Sequence, residues 1–251
     1  MPVIDPTIAT NLAGVLCQNY ADETNSFSAK HPVSVQHFTE IMAYCHTKIN
    51  QYASLVKNEK DEQAKIAERY LDLAINNLFS SMQLLIIEHI IASGNMFRQA
   101  VEATCIAILL SHRGELRTTY KKNGKKIEEN FLFLDIFMED KHYKWPYLYL
   151  PLIEKNKSAL GIDAEFIEVF KAAQRVFNGY SHASKKTINL SQSGGIGSRL
   201  FIGGGIGHPE KNLLDFELKA RINFSKKIPT IIDYIYKLLH LQTPETSDTK
   251  S

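Results

Sequence analysis

The stretch KIAERYLDLAINNLFSSMQLLIIEHIIASGNMFRQAVEATCIAILLSH, residues 65–112, decides the fold class. Leu71, Ile75, Leu78, Met82, Leu85 and Ile86 recur at intervals of three and four, the spacing that lines one face of an α-helix. Phe97, Val101, Cys105 and Ile108 continue the period after Ser93-Gly94-Asn95, a set of residues suited to stopping one helix and capping the next. Two long amphipathic helices joined by a short turn make an antiparallel hairpin.

Working outward, a further helix is expected upstream over about 35–57, where LysAsnGluLysAsp at 57–61 breaks the periodicity. Downstream, Arg117 to Lys126 (RTTYKKNGKK) is polar with an Asn-Gly turn signal and reads as an exposed loop, its lysines a solvated surface run. Short helical patterns resume at 127–139 and 147–157, around Trp145-Pro146, and Asp163 is placed to cap a helix running to about Tyr180. Residues 187–209, TINLSQSGGIGSRLFIGGGIGHP, read as a β-hairpin, and a helix over about 229–241 closes the chain with Pro229 in its first turn. The expected architecture is mainly α. It is a single domain over 1–242 with its core at about 35–185, one small hairpin near 187–209, and a polar tail at 243–251.

Composition narrows the function classes. At 44% hydrophobic and 22% charged residues, with three cysteines (Cys17, Cys45 and Cys105), the 251-residue chain is neither low-complexity nor a disulfide scaffold. Sparse cysteines, no apolar run long enough for a membrane span and no signal-peptide pattern at the start lead us to expect a cytoplasmic protein with no membrane partner. The net charge of +2 conceals a gradient: residues 1–168 hold 17 basic and 21 acidic side chains, residues 169–251 hold 12 and 6. A basic C-terminal third suits a polyanionic partner.

Cofactor and metal motifs are missing. The Gly-rich repeats are not followed by Lys-Ser/Thr and do not link a strand to a helix, there is no Cys-x-x-Cys or His-Glu-x-x-His, and His89 and His112 fit structural imidazoles on apolar helices. We therefore expect no metal and no cofactor. The richest segment is the helix starting after Asp163. At 100° per residue, Phe166, Phe170, Ala173, Phe177 and Tyr180 fall within an apolar arc of about 80°, while Lys171, Arg175, Asn178 and His182 cluster within about 60° on the other side. An imidazole and a guanidinium on one face suit metal-free RNA cleavage: the 2′-hydroxyl is the internal nucleophile, His182 moves protons and Arg175 offsets charge on the phosphorane. Arg175 and His182 are about 10 Å apart along a regular helix, so a complete site would join two such helices in a dimer.

The segment Arg175-Val-Phe-Asn-Gly-Tyr-Ser-His182 resembles the R-x4–6-H motif of the HEPN superfamily, with six intervening residues. Met96 to Ala103 resembles the Arg-x-x-x-Glu helix of HEPN-like bacterial proteins, with Arg98 and Glu102 spaced to form an ion pair. The resemblance spans about residues 60–185. It implies a HEPN-like helical bundle, a homodimer with facing motifs, and a metal-independent endoribonuclease of a toxin–antitoxin or antiphage system that leaves 2′,3′-cyclic phosphate ends. In that case Arg175 and His182 are the catalytic pair with Asn178 assisting, Lys171, Lys185 and Lys186 contact RNA, and a cognate antitoxin or defence protein is a partner. One departure stands out: active members often carry a polar residue directly after the arginine, and this chain has Val176. The alternative is a non-catalytic HEPN-like module that binds a protein partner, RNA or a nucleotide.

Overall fold

The computed structural model describes residues 20–56, 61–122, 124–139, 149–177 and 211–239. Its helices are α1 (Ala21–Lys30), α2 (Pro32–Val56), α3 (Glu62–Ile86) and α4 (Ile90–Ser111), followed by strands β1 (Leu116–Lys122) and β2 (Lys125–Phe131). Then come α5 (Phe133–Met138), α6 (Tyr149–Lys155), α7 (Lys157–Leu160), α8 (Ala164–Phe177), α9 (Lys211–Ser225) and α10 (Ile228–Leu238). Among the described residues the protein is mainly α-helical with a small two-stranded antiparallel sheet. None of the described helices is long and apolar enough to cross a membrane.

The expected helical hairpin is the spine of the fold, since α3 and α4 form the most extensive helix pair. Helix α4 is buried on nearly all sides, from Phe97 through Leu110, because α3, α6, α8 and α10 surround it. A helix apolar all round needs such a jacket. Helix α3 starts at Asp61, whose carboxylate accepts the Ala64 N–H at 3.2 Å and caps one of the free donors of the first turn.

The turn between the helices corrects the expectation. It lies at Ile87-Glu88-His89, not at Ser93-Gly94-Asn95, and Ser93 and Gly94 sit buried inside α4. The chain reverses with Glu88 at φ 61°, the left-handed region usual for a helix C-terminus, and the N–H groups of Glu88 and His89 bond back to Leu85 and Leu84 at 2.9 and 2.8 Å. Ser93 stays helical because a polar interior site, described below, takes its hydroxyl.

The sheet supplies a second correction. Residues 117–122 and 125–126 are strand and not loop, and the helical pattern read from residue 127 gives way to strand as far as Phe131. The ribbon pairs Leu116 with Phe131 through Lys122 with Lys125. Gly124, at φ 77°, supplies the left-handed backbone that a two-residue Asn-Gly turn uses, and the alternation of Leu116, Thr118 and Tyr120 turns one face inward. The long run of lysines hides that alternation in the sequence. The hairpin expected at 187–209 and the tail at 243–251 lie outside the described residues.

Candidate functional site

Helix α8 begins where expected: the Asp163 carboxylate accepts the Phe166 N–H at 2.7 Å. Its buried face is wider than the apolar arc read from the sequence. Ile167, Phe170, Ala173 and Val176 are buried, whereas Phe166 is only half-buried, since α4, α6 and α9 pack on the helix from different sides. Aromatic contacts set its position: the Phe170 ring meets Phe224 of α9 edge-on at 5.5 Å, and Phe224 meets Phe97 of α4 edge-on at 5.6 Å. Phe166 stacks on Phe170 at 5.0 Å, and Lys227 bonds Glu165 at 3.0 Å across the start of the helix.

The opposite face carries Lys171 and Arg175 one turn apart, as expected. Arg175 is exposed, and its guanidinium makes no hydrogen bond or ion pair with the described residues. Lys171 differs. Its ammonium bonds Glu154 of α6 at 2.6 Å and lies 3.4 Å from Glu168, and the bond to Glu154 holds its pKa above the usual lysine value. As a phosphate contact it is thus already neutralised by two carboxylates. Asn178, His182, Lys185 and Lys186 lie outside the described residues. Val176, directly after the arginine, is 5% exposed and faces the core, so that position is fitted for packing. The ion pair expected on α4 is formed, with Arg98 Nε 2.8 Å from Glu102.

A second polar cluster escaped the sequence reading. Arg221 of α9 is completely buried together with Glu217, Ser81 and Ser93. Its Nε donates to Ser81 Oγ at 2.7 Å, its Nη2 to Ser93 Oγ at 2.7 Å, and its Nη1 to the carboxylate and the backbone carbonyl of Glu217, both at 2.8 Å. The two serines interlock: Ser81 donates to the carbonyl of Ser93 at 2.8 Å and Ser93 to that of Ser81 at 2.6 Å. The guanidinium also lies 5.0 Å over the Phe97 ring. The pair Glu217/Arg221 has i,i+4 spacing, which in sequence looks like a surface ion pair. The available signal was its place amid Leu218, Ile222 and Phe224, within an apolar stripe.

Other reactive groups are quiet. Burial pushes the Cys45 thiol up to about 12 and raises Cys105 further, so neither is a thiolate at neutral pH. Burial lowers the pKa of His89 and His112, in keeping with structural imidazoles, and His89 meets the Tyr20 ring edge-on at 5.3 Å. No group of three or more His, Cys, Asp or Glu side chains among the described residues is placed to hold a metal ion. No protein-family model, curated protein or solved structure gives a significant match to the chain.

Proposed function

We propose that the protein is a metal-independent endoribonuclease of HEPN type, with Arg175 and His182 as its catalytic pair. The observation that carries this reading is Arg175 itself, which stands exposed near the C-terminal end of α8, clear of any carboxylate among the described residues. A guanidinium held on a packed helix and left without a counter-charge among the described residues is suited to an external anion. The helical bundle around α3 and α4 and the Arg98–Glu102 ion pair agree with the same reading. Charge on a pentavalent phosphorane would be offset by Arg175, while the His182 imidazole moves the 2′-hydroxyl proton. Two copies of the motif, facing each other in a homodimer, would complete the acid and base roles.

The test is cleavage of labelled RNA in the presence of a chelator by the parent, Arg175→Ala and His182→Ala. The parent should cut and leave 2′,3′-cyclic phosphate ends, with each substitution reducing the rate by at least about a hundredfold. Undiminished cleavage by His182→Ala would disprove the assignment. The buried Val176, in place of the polar residue usual after the arginine, favours a second reading, a non-catalytic module that binds RNA or a partner protein through the same face. That reading gives no cleavage by any of the three proteins and weaker association for Arg175→Ala.

A further inference from the structure

The end of the β-hairpin carries a charge arrangement from which the fold gains nothing. The register sets Lys121 directly opposite Lys126 and Lys122 directly opposite Lys125, so that four lysines fill the last two cross-strand positions of the ribbon. Like charges directly opposed across an antiparallel pair destabilise it. Glu128 offsets only part of this: its carboxylate lies 3.3 Å from the Lys126 ammonium, and a hydrogen bond to Lys126, helped by the charges of Lys126, Lys155 and Arg117, keeps it below its usual pKa. Lys125 and Lys126 are exposed.

The base of the ribbon, in contrast, is firmly held. Leu116 is fully buried and Phe131 packs against the core. Asn156, itself buried, brackets Arg117 by accepting its N–H at 2.7 Å and donating to its carbonyl at 2.9 Å, much as a neighbouring strand would. Lys155 bonds the Thr119 hydroxyl from the same helix end. Burial declines from Leu116 through Thr118 to a half-buried Tyr120 on one strand, Lys125 and Lys126 are exposed on the other, and at about 3.3 Å per residue the end of the ribbon lies roughly 20 Å from its anchor. The exposed Arg117 extends the basic character back towards the base.

We propose that this hairpin is a nucleic-acid-binding arm whose lysine-bearing end seats against the phosphate backbone. A membrane arm would need apolar or aromatic residues at its end, and the sequence there is Lys-Lys-Asn-Gly-Lys-Lys. A two-stranded ribbon sets lysine positions on both strands at one end, where the regularly spaced phosphates of a nucleic-acid backbone neutralise what the hairpin cannot. The inference rests on the ribonuclease reading only for the expectation that the strand bound is RNA.

The test uses the full chain and fluorescence anisotropy with uncleavable 2′-O-methyl RNA of about 20 nucleotides, single-stranded and duplex, and duplex DNA of the same sequence, across a salt series. Replacing Lys121, Lys122, Lys125 and Lys126 together by Gln should weaken binding on the order of a hundredfold near 0.1 M salt and make the plot of log affinity against log salt shallower by about three. Its Tm should equal or exceed that of the parent, because two like-charge pairs are removed. The three nucleic acids show which backbone the arm prefers. Unchanged affinity and salt slope would overturn the proposal, as would loss of binding only to poly-glutamate or phosphatidylserine vesicles tested alongside. A parent that binds through these lysines but never cleaves ends the ribonuclease reading alone, and one that cleaves normally without them ends only the hairpin proposal.

Discussion

Arg175 and Arg221 sit on neighbouring helices of one bundle and have opposite fates. Arg175 points away from the buried face of α8 and makes no hydrogen bond or ion pair with the described residues, while Arg221 is fully buried with bonds to Ser81, Ser93 and Glu217. The same side chain serves two ends. Without a partner among the described residues it is left open to solvent, where the proposed function would have it meet an external anion, and with its donors committed it joins three helices. The contrast separates function from stability residue by residue, because a substitution at one should affect what the other does not.

The largest expected effect is at the interior. Arg221→Met strands the Glu217 carboxylate in the core and should cost about 3–5 kcal/mol, read as a fall in the thermal and denaturant midpoints. The double variant Arg221→Met/Glu217→Leu should regain much of that loss, since removing both charges leaves nothing unpaired. Arg175→Ala, measured in the same way, should change stability by less than about 0.5 kcal/mol while abolishing RNA cleavage. If Arg175→Ala unfolds the protein as Arg221→Met does, the comparison fails. Ser93→Ala sharpens it further: the hydroxyl both receives Arg221 and donates to the Ser81 carbonyl, so a loss of about 1–3 kcal/mol is expected in urea unfolding.

A modest effect on stability is expected at a third, exposed arginine. Arg113 bonds the Asp61 carboxylate at the start of α3. Burial by itself would raise the Asp61 pKa, but the Arg113 and Ala64 hydrogen bonds outweigh it and hold the carboxyl below its usual value. The stabilisation is therefore present above pH about 4, and is lost as the pH falls through the depressed native pKa. Arg113→Ala should cost no more than about 1 kcal/mol at neutral pH and should flatten the dependence of Tm on pH in the acid range. An unchanged acid limb would show that the pair does not bind protons differently on folding.

What the sequence revealed follows from how local each signal is. The period through Leu71, Leu78, Leu85, Val101 and Ile108 is a local pattern repeated over many turns, and it located α3 and α4 well. The turn was misplaced because Ser-Gly-Asn is turn-like in composition, whereas the reversal at Glu88 depends on a backbone conformation that its residue type does not announce. Asn123-Gly124 is a turn signal in the sequence, but its flanking lysines obscure the strands. Arg175 was legible because an exposed polar face needs only helical spacing. For Arg221 only the apolar neighbours Leu218, Ile222 and Phe224 are local; its hydrogen-bond partners Ser81 and Ser93 lie more than a hundred residues away, and no local window contains them.

That separation in sequence bears on the order of folding. Helices α3 and α4 can meet by closing a three-residue turn, but the Arg221 bonds to Ser81 and Ser93 require closure of loops of 140 and 128 residues. Contacts that bring together such distant segments carry the greater entropic cost and are favoured to form late. Loss of the Arg221 contacts should then appear chiefly as faster unfolding, with the refolding rate little altered. The buried guanidinium would set how long the folded bundle lasts, more than how quickly it forms.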